Sequence, residues 1–162
     1  MRLSEHFTLD QLCDSYLAIR YGINNHPPHE AIARLAEMAA LLEQVRALLG
    51  ERIHIISGFR CEILNTLVGG AKNSPHLTGC AVDFEAKDFG PAFKVCSRIY
   101  NSPLVFDEMV YEYGRWVHLS ISPTPRRLVW TKWYREPRQI GVNEFHSASM
   151  RNKMESGPDD DL

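Results

Sequence analysis

The stretch "FDEMVYEYGRWVHLSIS", residues 106–122, constrains the fold more than any other part of the chain. Two β-rich runs flank a Tyr113–Gly114–Arg115 connection, which is the pattern of a hairpin. Side chains alternate across a strand, so Val117, Leu119 and Ile121 share one face while Trp116, His118 and Ser120 share the other. The first set is apolar and marks the core. His118 therefore faces away from the core, beside an aromatic ring.

A second alternating run, "CAVDFEA", places Cys80, Val82 and Phe84 on one face and Ala81, Asp83 and Glu85 on the other. "RIHIISGFR" reads as a short strand running into a glycine turn. Ile53 and Ile55 form its apolar face, and Ile56 predicts burial on both sides. "RLVWTKW" predicts a last strand. Helices precede this sheet. Thr8 and Gln11 have capping-box spacing. From Glu30 to Leu49, Ile32, Leu35, Met38, Leu42, Val45 and Leu49 recur at three- and four-residue steps, and Gly50 follows as a stop. "CEILNTLVGG" predicts two helical turns, and Pro91 opens a helix to Tyr100. The expected class is α+β, a mostly antiparallel sheet with N-terminal helices. Residues 1–135 are expected to form the domain. Residues 136–162 are polar, end in three aspartates before Leu162 and predict a flexible tail.

At 162 residues the chain suits one domain, and 44% hydrophobic with 23% charged residues suits a globular one. A net charge of -2 offers no basic field for nucleic acid or anionic lipid. No apolar run is long enough to span a bilayer. The opening "MRLSEHFTLDQL" has no apolar signal core, so synthesis in the cytoplasm without a signal peptide is expected. Cys13, Cys61, Cys80 and Cys96 form no CxxC pair and predict free, mostly buried thiols.

Seven histidines offer candidate chemistry. His6, His54 and His146 have no local companion, and His26 and His29 flank Pro-Pro in a loop. His76 and Asp83 bracket a Gly79 turn that feeds a strand. Together with His118 they make three ligands, the set that leaves a catalytic zinc one open position. Isolated His and Asp residues are common and usually structural, so spacing alone does not establish the site. A zinc peptidase also needs a general base, for which Asp107, Glu108 and Glu112 are the carboxylates of the first hairpin strand. Glu112 lies nearest the turn, opposite the strand that bears His118.

"SGFRCEILNTLVGGAKNSPHLTGCAVDFEA" resembles the zinc D-alanyl-D-alanine carboxypeptidases and related peptidoglycan peptidases, a group that includes vancomycin-resistance dipeptidases and phage endolysins. Ser74, His76, Gly79, Ala81 and Asp83 fill the family pattern Ser-x-His-x-x-Gly-x-Ala-x-Asp, and Trp116 with His118 match its second hallmark. "LSEHFTLDQL", "GINN" and "LNTLVGGAKNS" resemble the small phage and prophage branch. The similarity runs from about Leu3 to Ser122. It implies the hedgehog/DD-peptidase fold, Zn²⁺ on His76, Asp83 and His118, and substrate held by Arg60, Ser74 and Trp116. It further implies a peptidoglycan peptide as substrate, reached after release from the cell or from within a virion. One position departs from the pattern. Many relatives carry the acidic base three residues before the second histidine, where this chain has Arg115, so the role passes to Glu112. The rival expectation is a non-catalytic wall-binding module on the same fold. A third is adventitious metal binding by cysteines and surface histidines.

Overall fold

The computed structural model describes residues 1–133 and 139–140. Three helices come first: α1 (Leu9–Cys13), α2 (Tyr16–Tyr21) and α3 (His29–Leu49). The capping box at Thr8 and Gln11 forms as expected. Gly50 closes α3 in the left-handed conformation. His29 belongs to the first turn of α3, where the sequence suggested loop, because Pro28 serves as the N-cap.

Strand β1 (His54–Ser57), helix α4 (Glu62–Leu67), a 3-10 turn at Pro75–Thr78 and strand β2 (Ala81–Glu85) follow. Helix α5 (Ala92–Tyr100) leads to the hairpin β3 (Glu108–Glu112) and β4 (Trp116–Ser120), then β5 (Leu128–Lys132) and β6 (Gln139–Ile140). The sheet runs β1-β2-β4-β3-β5-β6. All neighbours pair antiparallel except β3 with β5, which is parallel. The α+β class with N-terminal helices is what the sequence predicted. β6 falls inside the expected tail, and the rest of that tail, 136–138 and 141–162, lies outside the described residues, as does His146.

The core lies between one face of the sheet and the helices. Val82, Phe84, Met109, Tyr111, Val117 and Leu119 meet Leu35, Met38, Leu42 and Val45 of α3 and Val95, Cys96 and Ile99 of α5. Strand alternation sends the other set, Asp83, His118 and Ser120, to the opposite face. The hairpin and β2 therefore place core and site residues as the alternation predicts.

Two local expectations fail. Ile56 is 41% exposed rather than buried, because β1 is an edge strand covered on one side only. Cys80 is half-buried rather than part of the core, since it precedes β2 and its Sγ turns toward the Thr78 carbonyl. Of the four free thiols, Cys96 alone is buried. Beyond its local pattern, His6 meets a partner 37 residues away: its Nδ1 lies 2.8 Å from Glu43 Oε2, tying the N-terminal loop to α3.

Candidate metal centre

The site is built from the backbone outward. β2 and β4 pair Asp83 with His118, so the two side chains leave the sheet side by side. His76 comes from the 3-10 turn that precedes β2. Gly79 ends that turn at φ 77°, and an added Cβ would stand 2.7 Å from the Ala31 carbonyl of α3. Glycine is thus needed for both conformation and close packing. The chain can then swing His76 back over the start of its own strand.

Gly58 supplies the next constraint. Its Cα abuts the Leu12 carbonyl so closely that a side chain has no room, and Phe59 N–H donates to that same carbonyl at 2.7 Å. This fixes the Gly58 carbonyl 2.7 Å from His76 Nδ1. A carbonyl only accepts, so Nδ1 carries the proton and Nε2 keeps its lone pair for the site. Asn25 secures the same segment. Its side-chain amide donates to the Cys13 and Phe59 carbonyls at 2.8 and 3.0 Å, and its oxygen accepts from Cys61 N–H at 2.8 Å. Sequence reasoning assigned Asn25 no role beyond its "GINN" loop. An asparagine in a loop is ordinary, and only its burial betrays it.

Three donor atoms converge. His76 Nε2 is 3.2 Å from His118 Nδ1 and 3.3 Å from Asp83 Oδ1, and His118 Nδ1 is 2.8 Å from Asp83 Oδ1. Donors on a tetrahedron with bonds of about 2.0–2.1 Å stand about 3.3 Å apart. Two separations match that spacing. The third is a hydrogen-bond length, with Nδ1 donating to the carboxylate, a proton that ligation would displace. All three residues are buried, and they are the one such cluster of potential metal ligands among the described residues. The donor set of two imidazoles and a carboxylate, with one imidazole oriented by a backbone carbonyl, fits a zinc ion.

Electrostatics agree with that fit. Burial holds His76 below its ordinary value against the attraction of Asp83, which keeps the ring neutral as a ligand must be. Burial pushes the other way on Asp83, but the His76 ring beside it and the hydrogen bond from His118 Nδ1 hold its carboxyl well below the usual range. Arg60 Nη2 lies 3.7 Å from Asp83 Oδ2. Burial lowers the guanidinium's pKa while Asp83 and Glu112 raise it.

The cluster lies in a cleft of about 710 Å³. Arg60, Ser74, Glu112 and Trp116 all line it, together with His76, Asp83 and His118. Glu112 is opposite Trp116 in the hairpin, and its Oε1 is 3.7 Å from Lys132 Nζ. Trp116 packs edge-on against Tyr113 with ring centroids 5.3 Å apart. Arg115 is exposed in the turn and does not line the cleft. Asp107 and Glu108 line it too, but Asp107 is engaged by Arg126. Sequence reasoning missed Lys132 and Arg126, whose roles depend on the β3–β5 pairing.

A family model described as Peptidase M15 matches residues 5–120, most of the chain and the span that holds His76, Asp83 and His118. No curated protein matches the chain. No helix among the described residues is long and apolar enough to cross a membrane.

Proposed function

The chain belongs to the peptidase M15 family, and we propose that it is a zinc-dependent peptidase that cleaves amide bonds in bacterial peptidoglycan peptides. The observation that carries this reading is the convergence of His76 Nε2, Asp83 Oδ1 and His118 Nδ1 at a cleft that Glu112 also lines. Zn²⁺ held by these three residues would supply Lewis-acid polarisation of the scissile carbonyl and acidify water. The chain's own residues do the rest. Glu112 takes the water proton and delivers it to the leaving amine. Arg60, with its guanidinium between Asp83 and Glu112, offers paired donors to a peptide carboxylate. Trp116 walls the cleft, and buried Ser74 lines the side from which His76 enters.

The resemblance to the small phage and prophage branch supports a role in lysis or wall remodelling. The enzyme would then meet its substrate after release or as part of a virion. Digestion of defined wall peptides, read by mass, tests the activity. Loss of a terminal residue or opening of a cross-link is the expected result. Binding without any cleavage, with zinc present, would instead mark a wall-binding module.

A further inference from the structure

Residues 58–61 grip His76 twice. The Gly58 carbonyl accepts from the ring at Nδ1, 2.7 Å away, and Arg60 N–H donates to the His76 carbonyl at 3.1 Å. Ring and backbone of one ligand are thus held by one short segment. That segment lies past the end of β1 at Ser57, so no strand ladder fixes it. Two anchors fix it instead. One is the bond from Phe59 N–H to the Leu12 carbonyl. The other is the Asn25 side chain, which bonds the Phe59 carbonyl and Cys61 N–H on either side of Arg60 and ties both to the Cys13 carbonyl at the end of α1. The two carbonyls only accept and the N–H only donates, so the amide can point one way alone. An aspartate would fit the space but bring no donor to the two carbonyls. Asn25 is buried and does not line the cleft, so any effect it has on the site passes through residues 58–61.

The His76 ring has two acceptors competing for its one proton. The Gly58 carbonyl stands at Nδ1, and Asp83 Oδ1 stands 3.3 Å from Nε2. An ionised carboxylate is the stronger acceptor of the two in kind. The carbonyl prevails by position, at 2.7 Å. We propose that Asn25 is a positioning residue for the metal site: it holds the Gly58 carbonyl against His76 and so keeps the ring in the tautomer that leaves Nε2 free. Released from the clamp, the carbonyl draws away and the proton passes to Nε2, where it bonds Asp83. A ligand atom that carries a proton must lose it before it can bind zinc, so affinity falls. The consequence for zinc rests on the proposed peptidase function. The choice of tautomer rests on the hydrogen bonds alone.

The test reads the tautomer and the zinc affinity separately. Nitrogen–proton correlation spectra of the imidazole rings in metal-free protein should show His76 protonated at Nδ1 in wild type. Asn25→Asp, which keeps the size and loses both donors, should show the proton shared with Nε2. Its zinc affinity, read by competition with a chelator, should fall about 10–100-fold. Asn25→Ala should change both readouts in the same direction without adding a buried charge. Leu42→Ala, a substitution in the core on the other face of the sheet, should lose stability in urea and keep the wild-type tautomer and zinc affinity. Protonation of wild type at Nε2 overturns the proposal without any variant having to fold. An Asn25 variant that matches wild type in tautomer or in zinc affinity overturns it too. So does an equal loss of affinity in Leu42→Ala, which would make Asn25 merely structural. Wild type that binds no zinc removes the peptidase reading instead, and the tautomers of wild type and variant still decide whether the clamp exists.

Discussion

Asp83 and Phe84 are neighbours on β2, yet they serve opposite layers of the molecule. On the core face, Val82, Phe84, Met109, Val117 and Leu119 are fully buried and apolar. On the other face, Asp83 at 7% and His118 at 7% exposure are almost as dry and wholly polar. The two faces are thus similar in burial and differ in what burial does. On the core face it stabilises, at about 25 cal/mol per Å² of apolar area. On the site face it is a cost, offset where His76, Asp83 and His118 meet one another. One face holds the fold together. The other keeps a cluster of donors that a cation would satisfy better than they satisfy one another.

Exchanging partners on either face should expose that division. The largest effect is expected from His118→Ala, which removes a donor outright. Zinc affinity and hydrolysis should both fall by more than the about 10–100-fold typical of residues that merely orient a ligand. Denaturation of the chelated variant should remain close to that of chelated wild type. A collapse of the fold instead would make the site face structural. Glu112→Gln should keep its zinc and lose about 10²–10⁴-fold in kcat. Retained turnover would pass the base to Glu108. On the core face, Phe84→Ala should cost about 3–5 kcal/mol in chemical denaturation. The folded fraction should still bind zinc at the wild-type stoichiometry.

Smaller effects lie at the rim. The hydrogen bonds from Arg126 hold the Asp107 carboxyl below its ordinary value of 3.8, and this outweighs the opposing effect of burial. A group depressed in the fold binds fewer protons there than in the unfolded chain. Its contribution is therefore full above its unfolded value and is lost as the pH falls through its folded value. Arg126→Met should flatten the decline of stability below about pH 4, as measured by urea titrations at a series of pH values. A decline as steep as in wild type would show that the pair contributes nothing. Cys80→Ala should leave zinc content unchanged by metal analysis. Reduced content would bring back cysteine as a ligand.

The division between faces was legible wherever it rests on alternation along one strand. Val117 and His118 could be sorted before any tertiary contact was known, and so could Val82 and Asp83. The capping box at Thr8 and the glycine stop of α3 are equally local. What escaped depends on register between distant segments. Ile56 reads as buried until β1 proves to be an edge. Asn25, the Gly58 carbonyl and the His6–Glu43 pair gain their meaning from segments 18 to 37 residues away. Lys132 reaches the cleft only because β5 runs parallel to β3, a pairing no hairpin pattern announces. The ligand trio itself was suggested by alternation and by family resemblance. Its convergence within hydrogen-bonding distance is a tertiary fact.

The central claim is that the polar face of this sheet is a metal site. Zinc titration of chelator-dialysed protein, followed by calorimetry, tests it most directly. The account predicts one zinc per chain in wild type and none in the doubly substituted His76→Ala, Asp83→Ala protein. Failure of wild type to bind zinc, or undiminished binding by the double variant, would contradict it.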